Sequence, residues 1–103
     1  VQPAGSYQQY AQGLFPQYGW ASSEFSCLDA LWNKESGWNP RAYNAYSGAT
    51  GIPQALPGSK MASAGADWAT NGDTQIRWGL GYIKERYGTP CSAWATSEAT
   101  GAY

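Results

Sequence analysis

Between residues 38 and 66 the chain carries glycine at 48, 51, 58 and 65 and proline at 40, 53 and 57. Glycine loses the most entropy on entering a helix, and proline removes a backbone donor and clashes with the preceding turn. A long helix does not survive that density of breakers. Yet Trp38, Tyr43, Tyr46, Ile52, Leu56 and Met61 run through the same stretch. So many apolar and aromatic side chains argue for an ordered segment, with short strands or a helical turn around ALPGSKMASAG at 55–65. Long ordered loops in small domains are commonly functional.

The flanking segments read as helices. Residues 1–5 form a frayed lead-in, and Ser6 opens a short helix in which Tyr7, Tyr10, Ala11 and Leu14 recur at helical spacing. Pro16 and Gly19 limit how far it runs. The segment SSEFSCLDALWNKESGW predicts a helix over about 23–36. Ser22 or Ser23 stands as its N-cap, Phe25, Leu28, Ala30, Leu31 and Trp32 as its apolar face, and Gly37 with Asn39-Pro40 as its stop. Asn71 opens a third helix, with Ile76, Leu80, Ile83 and Tyr87 on one stripe. Gly79 and Gly81 inside it cost up to about 1 kcal/mol each against Ala, which implies a close approach to another backbone. Gly88 ends it, and Thr89-Pro90 starts a last helix over about 90–97. The fold class is mainly α, one domain over 1–103 with an irregular Gly/Pro-rich middle.

A chain of 103 residues buries about two thirds of its extended surface, so a staple is valuable. Cys27 and Cys91 either form a disulfide or remain two buried thiols. A bridge over so long a loop contributes about 4 kcal/mol. The Gly-rich, loop-rich composition of an extracytoplasmic domain favours the bridge. There is no histidine. That excludes a Ser-His-Asp triad and a Cys-His pair, and with two cysteines it leaves no ordinary zinc site. No metal and no cofactor are expected, and acid–base chemistry falls to carboxylates, Tyr or Lys.

Lys plus Arg is 6 and Asp plus Glu is 7. This near neutrality argues against nucleic acid and against attachment to anionic lipid. No apolar run is long enough to span a membrane. No signal segment opens the chain, which starts at Val1 as a mature or excised piece would, so any export signal lies outside it. With 6 Trp and 8 Tyr against 2 Phe, the rings suit a surface that packs on one side and meets polar groups on the other. Sugar clefts need such rings, although a core filled with large rings has the same composition.

Glu35 stands out among the carboxylates, which also include Glu24, Asp29, Asp67, Asp73, Glu85 and Glu98. It projects within about 80° of Cys27 on the predicted helix. It falls in the last turn, where the helix dipole disfavours a negative charge. The ordinary reading is a surface glutamate paired with Lys34 or Arg41. The alternative is a carboxyl placed for chemistry beside a loop able to wrap over it.

ESGWNPRAYN at 35–44, SGATGIPQALPGS at 47–59 and NGDTQIRWGLGYIKERYG at 71–88 together resemble the motifs of soluble lytic transglycosylase domains. In that family a Glu-Ser ends a helix, a small-residue loop closes on a Gly-x-x-Gln, and a later helix carries Gly-x-x-Tyr. The resemblance covers roughly residues 23–96 and is nearest to the short cell-wall type of actinobacteria. It implies a lysozyme-like fold and cleavage of the β-1,4 bond between N-acetylmuramic acid and N-acetylglucosamine in peptidoglycan. Glu35 would be the sole acid and base. It would protonate the glycosidic oxygen, then accept the proton of the muramoyl C6 hydroxyl as that oxygen closes on C1 to give a 1,6-anhydro end. The N-acetyl group would stabilise the cation. Protonation near neutral pH needs a carboxyl raised by apolar surroundings, with Trp38, Tyr43, Tyr46 and Ile52 as candidate walls.

The resemblance further implies that Gln54 contacts the sugar, that Ser36 orients Glu35, that Ser47 and Gly48 bring backbone to the N-acetyl group, and that Tyr82 lies near Glu35. The family's Ala-Tyr-Asn is replaced by Ala93-Trp94-Ala95, so Trp94 would stand for the tyrosine and the Asn is missing. Glu98 sits just beyond. Facing Glu35 across a cleft, it would make a two-carboxylate, water-using muramidase. A cell-wall glycan-binding or adhesion module is the rival outside enzymes. The expected partner is the peptidoglycan glycan strand, with the protein monomeric and secreted or cell-wall associated.

Overall fold

In the computed structural model, residues 6–101 are described; the lead-in read over 1–5 and residues 102–103 lie outside them. Four α-helices carry the fold: α1 (Ser6–Tyr18), α2 (Phe25–Glu35), α3 (Gly72–Arg86) and α4 (Pro90–Thr100). Two 3-10 stretches, Ser22–Glu24 and Gly58–Ser63, lie between them. Among the described residues no helix is long and apolar enough to cross a membrane.

Each helix end has a local cause, and several differ from the sequence reading. Helix α1 ends where the sequence reading limits it, with Pro16 in its last turn and Tyr18 as its last residue. Gly19, at φ 74°, stops it. The Trp20 N–H then closes back on the Phe15 carbonyl at 3.2 Å, a C-terminal pattern that needs a left-handed residue. Ser22 and Ser23 do not cap α2. They lie in the 3-10 turn, and Glu24 holds the cap position without a side-chain cap bond. Its carboxylate is drawn instead to the start of α4, where it accepts the Cys91 N–H at 3.1 Å. A helix N-terminus favours an anion there.

Asn71 caps α3 as expected, accepting the Asp73 N–H at 2.9 Å. Ile76, Leu80 and Ile83 are fully buried along it. The two α3 glycines have different reasons from the one predicted. A Cβ on Gly79 would stand 2.5 Å from Cζ2 of Trp32, so an indole ring, not a backbone, needs the space. Gly81 has nothing within 4 Å of that position and lies on an open groove. Helix α4 runs three residues past the predicted end and stops at Gly101, φ 82°.

Helices α2 and α4 make the most extensive helix contact. The Cys27–Cys91 disulfide joins their first turns, and the Lys34 ammonium reaches Ser97 near their far ends. The two links advance in the same direction along both helices, so α2 and α4 lie side by side in parallel. The core between the helices holds Leu28, Leu31, Trp32, Ile76, Leu80, Ile83 and Ala93. Trp38 closes it from the loop side, its ring edge-on to Trp32 at 5.1 Å.

The segment after α2 forms no strand among the described residues. Only isolated antiparallel bridges appear, Tyr43 with Thr50 and Thr50 with Ala55. Its helical turn is the 3-10 stretch at Gly58–Ser63, within the ALPGSKMASAG run. What replaces a sheet ladder is Gln75, a fully buried side chain on α3. Its Oε1 accepts the Ile52 N–H at 2.9 Å, and its Nε2 donates to the carbonyls of Pro40 at 3.0 Å and Trp68 at 2.9 Å. One amide thus satisfies backbone from both limbs of the loop where they meet the core, and a buried backbone group requires such a partner. Gly51 must be glycine beside it, since a Cβ there would lie 2.6 Å from the Gln75 Oε1.

Candidate active site

Glu35 is the last residue of α2, and the chain turns sharply after it. Gly37 and Trp38 both take left-handed backbone, φ 63° and 60°. For a bulky residue such as Trp38 that conformation costs of order 1–3 kcal/mol. Burial offsets it: the Trp38 ring packs among Phe25 and Trp32, and its Nε1 donates to Asp29 Oδ1 at 3.0 Å. The turn carries the chain back over the helix end. There the Ser36 hydroxyl donates to the Ile52 carbonyl at 2.7 Å. Ser36 therefore ties the residue after Glu35 to the GIPQ segment rather than bonding Glu35 itself.

The Glu35 side chain is half-buried, and burial raises its carboxyl above the ordinary value. Its position at a helix C-terminus disfavours the anion as well. The opposing influence is the neighbouring Lys34. That ammonium is held by α4, donating to the Ser97 hydroxyl at 2.7 Å and the Ser97 carbonyl at 3.1 Å, and lies 5.9 Å from the Trp94 ring centroid. Lys34 thus has its hydrogen-bond partners on another helix and does not form the pair with Glu35 that the ordinary reading supposes. Trp94 packs against the core and beneath Lys34, so its ring is engaged within the protein.

Gln54 occupies a strained position too, at φ 56°. Its Nε2 donates to the carbonyls of Gly51 at 2.9 Å and Ala42 at 3.4 Å. Both bonds run from the amide nitrogen to the loop backbone. Gln54 lines a small pocket of about 70 Å³ with Pro53, Ala55, Leu56, Lys60, Trp78 and Tyr82. Lys60, Trp78 and Tyr82 also line a wider groove of about 640 Å³, so the two adjoin. Tyr82 stacks on Trp78, ring centroids 5.0 Å apart, and burial raises its hydroxyl above the ordinary value.

Glu35 lines neither cavity. The larger groove therefore lies apart from the Glu35 carboxyl. The connection between them runs through packing: Trp32, Gly79 and Pro53 converge at one point, and Pro53 belongs to the Gln54 pocket. Ser47 and Gly48 line neither cavity and sit in a tight loop organised by Asn44, whose Oδ1 accepts the N–H groups of Tyr46 and Ser47 at 2.9 and 3.2 Å. Of the candidate walls, Ile52 is buried, whereas Tyr43 and Tyr46 are largely exposed and Trp38 has turned into the core. Glu98 is exposed on α4. Among the described residues no group of three potential ligands is placed to hold a metal.

Sequence reasoning missed Gln75, Asp29 as the partner of Trp38, and the Lys34–Ser97 link. A signal existed for Gln75. It stands four residues before Gly79, in the row of α3 that faces Trp32, so a polar side chain there had to be buried and satisfied.

A Glu-Ser helix end, a left-handed return and a glutamine turn pinned beside it form the frame that the sequence motifs imply. No curated protein and no solved structure matches the chain. A family model described as the transglycosylase SLT domain matches residues 18–103, everything from the last residue of α1 onward. That family is lysozyme-like and supports glycan cleavage of the lytic transglycosylase type. With its helical fold and disulfide in accord, the chain belongs to the transglycosylase SLT domain family.

Proposed function

We propose that the protein is a peptidoglycan lytic transglycosylase in which Glu35 alone serves as acid and then base. The observation that carries this reading is the setting of Glu35: half-buried, at a helix C-terminus, its nearest cation held by another helix. Each of these favours the protonated carboxyl that a general acid needs. In the first step Glu35 gives its proton to the oxygen of the bond between N-acetylmuramic acid and N-acetylglucosamine, and the C1–O bond breaks. In the second, the muramoyl C6 hydroxyl closes on C1 and returns its proton to Glu35, leaving a 1,6-anhydro end. Gln54 holds the sugar through its amide oxygen, and Ser36 keeps the helix end in register with that residue.

The cell wall is the corresponding place of work. The test is incubation with purified peptidoglycan and mass analysis of the soluble fragments. Anhydro ends are expected; reducing ends would mean a hydrolase, and binding without fragments a wall-binding module. Glu35→Gln should lower release at least about 100-fold, with circular dichroism unchanged. Release at the parent rate would remove Glu35 from the role.

A further inference from the structure

The 640 Å³ groove is unused by the chemistry above, and its lining is unlike that of a neutral sugar site. Lys60, Arg77 and Arg86 line it, three of the six basic residues in a chain whose net charge is −1. Glu85 lines it as well. Among the described residues, the Lys60 ammonium and the Glu85 carboxylate have no side-chain partner. Arg77 is partly committed, bonded to the Tyr10 hydroxyl at 3.0 Å and the Thr74 hydroxyl at 3.1 Å. Arg86 lies over the Tyr82 ring at 5.9 Å, and Trp78 stacks on the same ring. The Tyr82 faces are therefore engaged within the protein rather than offered as a platform for a pyranose.

We propose that this groove binds the short peptide that hangs from the muramic acid, a chain bearing several carboxylates and one free side-chain amine. The inference rests on the peptidoglycan reading above and names the part of that substrate which the groove takes. Three arguments converge. The lining pairs several cations with a single carboxylate, the complement of a peptide with several carboxylates and one ammonium. Arg77 already has Tyr10, Thr74 and the nearby Asp67 and Asp73, but a neutral glycan leaves Lys60 and Glu85 unanswered, and a pure polyanion meets repulsion at Glu85. The volume lies in the usual range for a ligand of a few residues. Finally, Lys60, Trp78 and Tyr82 line both this groove and the Gln54 pocket, so a sugar held by Gln54 carries its peptide branch toward the cations.

The test is titration of the intact protein with the isolated tetrapeptide stem, read by backbone amide shifts. One sample of the peptide keeps its side-chain amine, and a second has it acetylated. Shifts should fall at Lys60, Ser63, Ala64, Gly81, Glu85 and Arg86. Arg86→Ala should weaken both peptides about three- to tenfold, and Glu85→Gln the free-amine peptide alone by a similar factor, the size of one charge-assisted contact. Lys84→Ala removes a cation from the same helix outside the groove and should change neither. Shifts clustered elsewhere, or equal affinity in all variants, would overturn the assignment. So would stronger binding of a poly(glycerol phosphate) chain that improves further in Glu85→Gln, which would give the groove to an anionic polymer. Failure of fragment release with peptide binding retained removes the catalytic reading and leaves this one standing. Release retained with no peptide binding does the reverse.

Discussion

The α2–α4 pair and the loop from Trp38 to Ala55 sit on either side of Glu35 and are held in opposite ways. The helices are joined by apolar burial, by the Cys27–Cys91 bridge and by the Glu24 and Lys34 links. Their contacts are many and redundant. The loop has isolated bridges in place of a sheet ladder, and it hangs on Gln75, Ser36 and a set of left-handed residues that includes two non-glycines. Its contacts are few, directional and irreplaceable one by one. Stable helices thus carry the Glu35 carboxyl, while a polar, strained loop carries the Gln54 amide. Loops of this kind commonly open locally without global unfolding.

The difference can be broken first at the helical side. Replacing both cysteines, Cys27→Ser with Cys91→Ser, should lower global stability by about 4 kcal/mol, since the bridge closes a 64-residue separation. Denaturant unfolding measures it. Equal stability of the two forms would show that apolar burial alone clasps the helices. The loop side should yield to one amide. Gln75→Ala leaves the buried Ile52 N–H and the part-buried carbonyls of Pro40 and Trp68 without this partner and should cost about 3 kcal/mol. In hydrogen exchange the Ile52 N–H should lose its protection while the α3 amides keep theirs. Uniform loss along α3 would erase the distinction between the regions.

A smaller effect sharpens the seam between them. Ser36→Ala removes the bond to the Ile52 carbonyl and should cost about 1 kcal/mol in stability. Because it loosens Gln54 against Glu35, kcat should fall more than KM rises. The smallest effect concerns the pH dependence of stability. Burial holds the Glu35 carboxyl above its ordinary value of 4.5, so the folded protein keeps this proton after the unfolded chain has lost it. Stability therefore falls as pH rises from the ordinary value through the raised one, and the loss is complete above it. Glu35→Gln lacks this loss. Wild-type stability relative to the variant should decline across that window by less than about 1 kcal/mol, because the group is half in water. An opposite slope would mean that the carboxylate is stabilised by a partner.

Much of the helical side is legible in the residues themselves. Ile76, Leu80 and Ile83 announce α3, Asn71 its start, and Gly37 the end of α2, because spacing and caps are local properties. The end of α1 is local in the same way, since Pro16 falls in its last turn and Gly19 follows it. The α2 cap was misread because Glu24 answers to the N-terminus of α4, 67 residues away, and not to its own helix. The motif singles out Glu35 and Gln54, which the structure places at the end of α2 and in a left-handed turn. The inward turn of Trp38 and the exposure of Tyr43 and Tyr46 were not legible, since an aromatic ring suits a cleft and a core equally well.

By itself, the sequence determined the four helices, the breaker-rich loop and a chemistry without histidine, because periodicity, backbone stereochemistry and residue inventory act within a few positions. Only the tertiary structure decided that Lys34 turns to Ser97, that Gln75 holds the loop and that Lys60, Arg77 and Arg86 gather in one groove. Those outcomes depend on which distant groups meet in space, where charge and hydrogen bonding are settled between partners and not along the chain.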